Sequence, residues 1–412
     1  MSKQQQKIVH PMIFSTYWFL TALSIFLICY AVSEPKLRVI LLLAFCIIFH
    51  THFAGSAGVM PIIGLGAATY FLARSQDKRA QTLGIVVCCL ALIFYKYSHF
   101  ICRDLLGAIG TAQAKQLDAW LDNILPATAP LAISFFVFEF VHYLWERRQG
   151  KPIIEKPLDF VHFALFFPSL VAGPIKRYEQ FLPSLTAGTR NTSALDFSQG
   201  LAQVAAGFFK KIVLADNLTL SINAVTPEFS AISQPERWIF LLALSLRIYF
   251  DFSGYSDIAI GIARMMGIDL PMNFNWPYTA RNIQEFWHRW HISLSSWVRD
   301  YIYIPLGGSR RGALRTIWNG IFAFALCGMW HGAAWNFLCW GLYHGFGLAV
   351  ATNYRDSLGK IGTTIGWMFD RIPFAARATT FGYVSFGWLL FFYPLAQAFQ
   401  MCKLLFSGAT VQ

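Results

Sequence analysis

The chain has 412 residues, of which 56% are hydrophobic and 13% charged, whereas a soluble domain carries ~25% charged and ~45–50% apolar residues. The apolar residues come in blocks near the ~20 that a bilayer core requires, which excludes most soluble-enzyme templates and leaves an all-α polytopic membrane protein. A net charge of +12 would point to nucleic acid in a soluble chain. Here it reads as membrane-facing loops that obey the positive-inside rule, with no nucleic-acid partner.

The chain opens with Lys3 and Lys7, then an apolar run from Met12 to about Val32. That run is too long for a signal-peptide core and more spans follow, so a retained anchor is expected. Further apolar blocks fall near 39–54, 57–73, 81–100, 127–145, 158–172, 199–222, 238–265, 316–335, 336–351, 361–370 and 380–405. Several are too short or too kinked to span alone, and the count is roughly ten to twelve membrane helices. Basic residues cluster at Lys36 and Arg38, at Arg74, Lys78 and Arg79, and at Arg147, Arg148 and Lys151, while the link at Gly55 and Ser56 is uncharged. If those three loops face the cytoplasm, the N-terminus and the loop near 101–125 lie outside; Lys3 and Lys7 count against this orientation. With no repeat, low-complexity tract or long linker, residues 1–412 read as one membrane-embedded unit.

Two stretches do not fit simple spans. In 158–190, Pro168, Gly173, Pro174 and Pro183 interrupt any continuous helix. Backbone broken at membrane depth requires protein or a water-filled cavity to satisfy it, so this is either a re-entrant segment beside a cavity or an interfacial loop. In 281–312, Phe286, Trp290, Leu294 and Trp297 recur at helical spacing. That stripe predicts an amphipathic helix that lies in the interface or caps a bundle.

Charges inside apolar blocks need partners or a cavity. Glu139 has His142 three residues on. Arg247 and Asp251, spaced i, i+4, are expected to form an ion pair. Asp257 either pairs with Arg264 or lines a polar chamber. Together these residues imply an internal polar space.

Six of the eight cysteines, Cys29, Cys46, Cys88, Cys89, Cys327 and Cys339, lie within apolar blocks and no C-x-x-C pair occurs, so neither a disulfide framework nor a zinc site is expected. Among the ten histidines, His331 stands out in ALCGMWHGAAWNFLCWGLYHG. There Gly328, Gly332 and Ala333 would leave room for a substrate, and Trp330 and Trp335 would wall it. His344, thirteen residues on, faces away if the helix is continuous. His288 and His291 share an i, i+3 spacing, but no carboxylate completes a ligand set, so no metal is expected. Imidazole titrates nearest neutrality and suits proton abstraction from a hydroxyl. No G-x-S-x-G elbow, phosphate-binding loop or H-E-x-x-H competes with it.

The segments FFPSLVAGPIKRYEQF at 166–181, GFFKKIVLADNL at 207–218, YFDFSGYSDIAIGIARMMGIDLPMNFNWPY at 249–278, the tract from Phe286 to Gly308 and GMWHGAAWNFLCWGLYHG at 328–345 resemble the membrane-bound O-acyltransferases. The resemblance is to the bacterial branch holding the alginate O-acetyltransferase membrane subunit and the teichoic-acid D-alanyl transferases. It implies a ring of helices around a funnel or tunnel, with a thioester donor entering from the cytoplasm and the acceptor from the far side. By its W-H-G motif it assigns the catalytic role to His331, with His291, forty positions earlier, as the assisting residue. Y-I-P-L-G-G at 303–308 favours acetylation members, whereas the chain length is closer to that of D-alanyl transferases.

The mechanism this implies makes His331 the general base toward an acceptor hydroxyl. His291 orients the acceptor or donates to the oxyanion, Ser295 supports His291, and Trp330 and Asp257 line the route. Arg299, Arg310, Arg311 and Arg315, with Lys210 and Lys211, are candidates for the phosphates of coenzyme A or of a phosphopantetheine carrier; lipid headgroups explain the same charges. No permanently bound cofactor is expected. The expected partners are the lipid bilayer, an extracytoplasmic acyltransferase protein and, for the D-alanyl alternative, a cytoplasmic carrier protein, all at the bacterial cytoplasmic (inner) membrane. A transporter is the competing class, but it predicts paired halves with matching interruptions, which the sequence lacks.

Overall fold

The computed structural model describes residues 13–407 except 111, 127 and 128. Lys3, Lys7 and Met12, on which the orientation and the start of the first apolar run depend, lie outside the described residues. All regular structure among the described residues is helical. Tyr17–Val32 begins at Thr16, whose hydroxyl accepts from Phe19 N at 3.3 Å. Pro35–Arg74 follows and is broken at Gly55, where φ is +62°, a conformation that glycine adopts without Cβ strain. The halves Pro35–Gly55 and Ala57–Arg74, together with Lys78–Leu106, are long and apolar enough to cross a bilayer. Apolar side chains such as Ile28, Met60, Phe71, Leu90 and Phe209 are exposed. In water that surface would be a liability; in lipid it is the expected belt.

Because Gly55 folds the long helix back, its two ends come together. The Tyr70 hydroxyl donates to Glu155 O at 3.1 Å and Arg74 to Ile154 O at 3.2 Å. From the same end, Arg147 donates to Ala73 O at 3.1 Å and Arg148 to Thr82 Oγ1 at 3.2 Å. A ring nitrogen of His162, in the helix Pro157–Leu165, lies 3.1 Å from Val39 O, close to Lys36 and Arg38. The three basic loops therefore share one end of the molecule.

The 158–190 stretch is half irregular. Pro157–Leu165 gives way to a short turn at Phe167–Ser169 and an open run, and helix resumes at Tyr178–Arg190. Pro168, Gly173 and Pro174 do break the helix, but Pro183 sits inside Tyr178–Arg190 and does not. A proline at this depth removes one i→i−4 hydrogen bond and crowds the carbonyl of Glu179, yet the helix Tyr178–Arg190 runs on through it. The irregular run is enclosed by protein: Phe166 and Phe167 are fully buried, and the Lys176 ammonium pairs with the Glu139 carboxylate inside the molecule.

Ala194–Phe208, continued by a π-helical stretch Phe209–Asp216, packs along the long helix Gln234–Met265 through glycines. A Cβ on Gly200 would stand 2.6 Å from Gly261 O, and one on Gly207 would stand 2.7 Å from Gly254 O. Small residues let helix backbones approach this closely in a membrane. The proximity also rearranges the expected ion pairs. Asp251 bonds Lys211 Nζ at 2.6 Å rather than Arg247. Arg247 instead donates to Thr219 at 3.1 Å and covers the Phe392 ring. The i, i+4 pair is lost because a lysine from the adjacent helix reaches the carboxylate first.

The 281–312 tract is not one amphipathic helix. It forms Ile283–Arg289 and Ile292–Val298, then a π-helical turn Arg299–Tyr303, with His291 at φ +42° between the first two. Its aromatic stripe faces inward: Phe286, Trp290, Leu294 and Trp297 are all buried. Ala313–His331 and Trp335–Ser357 complete a tight pair whose turn begins at Gly332.

Candidate active site

His331 is the last residue of Ala313–His331, and its half-buried ring is held by Trp330, Trp340 and Phe391 at centroid separations of 4.7, 5.1 and 5.0 Å. Trp335, expected as a wall, instead packs on Phe100 and is 40% exposed; Trp340 takes its place one and a half turns later. Gly328 and Gly332 do not leave space for substrate. A Cβ at Gly328 would meet Phe337 O at 2.2 Å, and one at Gly332 would meet the Phe337 ring at 2.1 Å. These glycines let the second helix close on the first. His344 is separated from His331 by Trp340, whose ring lies 4.9 Å from His344. The break after His331 removes the continuous helix on which the sequence argument about His344 rested.

His291 is almost fully buried and brought beside His331, with Trp330 in contact with both: its ring centroid lies 6.3 Å from that of His291. Phe252 covers the His291 ring edge-on at 4.7 Å. His291 Nδ1 lies 3.4 Å from Oδ1 of Asn273, a fully buried side chain that also accepts from Ser293 Oγ at 2.6 Å. Ile292 N donates to Asn273 O at 3.0 Å, and this bond helps hold the left-handed backbone at His291. His288, three residues away, is exposed and lines a cavity along Ala313–His331.

A lysine approaches from the other side. Lys96, in the π-helical stretch Ile93–Tyr97, donates its ammonium to the main-chain carbonyl of Trp330 and lies 3.4 Å from Ser134 Oγ. The adjacent Tyr97 donates to Met329 O at 2.7 Å. The last carbonyls of a helix have no partner within it and carry its negative dipole end, so these two side chains pin the turn that carries His331. A π-helical stretch, with its wider turn, brings neighbouring residues onto one face. Lys96, Tyr97 and Asn273 are the site residues missed in the sequence. IFYKY carries a buried lysine as a signal, but its target lies 234 residues away.

Two cavities flank the histidines. One, of about 300 Å³, runs along Ala313–His331 from Thr316 to Cys327, one turn short of His331, and is also lined by Ser295 and Arg299. Ser295 therefore faces this cavity, its hydroxyl bonded to Trp290 O at 3.2 Å, and does not support His291. The other, of about 500 Å³, is lined by Asp257, Lys210, Ser256 and Asn273. Asp257 bonds Lys210 at 2.5 Å, while Arg264 bonds Gln199; the polar-chamber alternative holds and the Arg264 pairing does not. Lys210 and Lys211 are neutralised by carboxylates, which removes them as free phosphate ligands. Arg299 shares Asp300 with Arg177, and Arg310, Arg311 and Arg315 are exposed together near the start of Ala313–His331. Among the described residues no three histidine, cysteine or acidic side chains gather as metal ligands.

An all-helical, lipid-facing chain whose histidines from two distant segments meet at a break in the bundle matches the family profile of the membrane-bound O-acyltransferases over residues 128–396. The chain belongs to that family and is an acyltransferase. It is 36% identical to the probable alginate O-acetylase of Azotobacter vinelandii over 395 residues, covering 92% of this chain and 75% of the relative. It is 34% identical to the peptidoglycan O-acetyltransferase of Helicobacter pylori (75% and 61% covered) and 31% identical to the teichoic acid D-alanyltransferase of Bacillus subtilis (63% and 68%).

Proposed function

We propose that the protein transfers an acetyl group from a cytoplasmic thioester, acetyl-CoA or a phosphopantetheine-linked carrier, to a hydroxyl on an extracytoplasmic polysaccharide, cell-wall glycan or partner protein. The observation that carries this reading is the meeting of His331 and His291 on Trp330. His331 takes the proton of the acceptor hydroxyl as its oxygen attacks the thioester carbonyl. The tetrahedral intermediate collapses, the C–S bond breaks, and the imidazolium returns the proton to the departing thiolate. General-base assistance of this kind supplies ~10²–10⁴ in rate, and alignment of donor and acceptor in an enclosed path supplies more. The Thr316-to-Cys327 cavity, with Arg299 at its side, suits an extended donor arm.

In this reading the shared basic end faces the cytoplasm, roughly ten to twelve segments cross the membrane, and the N-terminus lies outside. The chain works in a bacterial cytoplasmic membrane with an extracytoplasmic acyltransferase partner. The likeness to the D-alanyltransferase supports a second reading, in which a carrier protein delivers D-alanine to a teichoic-acid-type acceptor. Labelled acetyl-CoA and D-alanyl carrier, offered separately to membranes holding the protein, decide between them. Label in extracytoplasmic glycan from acetyl-CoA is expected; label from the carrier alone establishes the second reading, and label from neither refutes both.

A further inference from the structure

The role of His291 turns on which ring nitrogen carries its proton, and the surroundings of Asn273 answer this. The Asn273 amide could be placed in either orientation, but the backbone N–H of Ser293 points at it from 3.3 Å and can only donate. The atom facing that N–H is therefore the carbonyl oxygen. Ile175 N donates to Ser293 Oγ at 3.0 Å, so the hydroxyl proton of Ser293 is free to point at the same oxygen, 2.6 Å away. On its other side the amide nitrogen donates to Ser256 Oγ at 3.2 Å. With Asn273 held from three sides, His291 Nδ1 faces an acceptor and takes the proton. Nε2 is left with a lone pair.

We propose that Asn273 is a positioning residue that fixes neutral His291 as a hydrogen-bond acceptor at Nε2, so that His291 holds the acceptor through a hydroxyl other than the one His331 deprotonates, rather than donating to the oxyanion. The inference rests on the acyl-transfer reading above. It also accounts for the left-handed backbone at His291: residues 273–275 and 289–292 run together, bonded at Asn275 N to Arg289 O and Ile292 N to Asn273 O. Strain retained at one non-glycine residue is expected where a side chain must be aimed.

The test measures transfer of labelled acetyl from acetyl-CoA in solubilised membranes holding the full chain, across a pH series. The titratable groups around His291 are His331 and Lys96 across Trp330, with Asp257 and Lys210 in the cavity beyond Asn273. Asn273→Asp keeps the acceptor oxygens and adds a negative charge at Nδ1–H, which favours imidazolium. The acid limb of kcat/KM is expected to move to higher pH by about one unit or more, with activity recovered above it. Asn273→Leu is expected to lose about tenfold or more in kcat at every pH. An unmoved profile in Asn273→Asp overturns the proposal, and so does folded Asn273→Leu within twofold of the parent while His291→Ala is inactive. Activity in His291→Ala instead removes the underlying reading of His291. If Asn273→Leu does not fold, the Asn273→Asp profile decides alone.

Discussion

Lys96 donates its ammonium to the main-chain carbonyl of Trp330, the residue immediately before His331. The bond joins the membrane-spanning stretch Lys78–Leu106 to the C-terminal turn that presents the imidazole. It places a positive charge where that helix end is negative.

Replacing this lysine with methionine keeps most of the packing and removes the charge. A charge-assisted hydrogen bond contributes ~1.5–3 kcal/mol, so Lys96→Met is expected to lower acyl transfer by about tenfold to a hundredfold with the protein still folded. Tyr97→Phe, which removes one neutral bond to the same turn, is expected to lose less. Rates from single-turnover assays on matched amounts of protein check the order.

The Glu139–Lys176 pair is buried on both sides, with side-chain exposures of 7% and 1%. Removing one partner leaves an uncompensated charge, at a cost of ~3–5 kcal/mol. Lys176→Met is expected to lower the thermal midpoint in detergent sharply, and Glu139→Gln with Lys176→Met together to recover much of the loss. A double variant no more stable than the single ones would contradict the pairing.

The hairpin that ends at His331 closes on glycines. A Cβ at Gly341 would lie 2.2 Å from Phe324 O, so Gly341→Ala must push Ala313–His331 and Trp335–Ser357 apart. Overpacking of this kind costs ~1–3 kcal/mol, and the displaced His331 is expected to lose activity beyond what the stability change explains. Gly382→Ala, where a Cβ meets nothing within 4 Å, is the control and is expected to be neutral.

Much of this site can be read from local sequence, because the two histidines sit in compact, recognisable segments and apolar blocks mark the helices. What local spacing misreads is set by contacts between distant segments. Arg247 and Asp251 have the spacing of a pair, but Lys211 comes across the Gly207–Gly254 contact and takes the carboxylate. The Phe286-to-Trp297 stripe has helical period, yet Asn273 holds His291 left-handed and divides the helix. Ser295, one turn past His291 in the sequence, consequently faces the other cavity. Lys96 lies outside the recognisable segments and Asn273 is unremarkable within the 249–278 segment, and only the fold brings them to the histidines.

The central claim is that His331 performs the proton transfer. It is tested most directly by following labelled acetyl from acetyl-CoA to extracytoplasmic material in membranes carrying His331→Ala, with folding checked by its thermal midpoint. The account predicts a loss of about a hundredfold or more in folded protein. Transfer at the parent rate would contradict it.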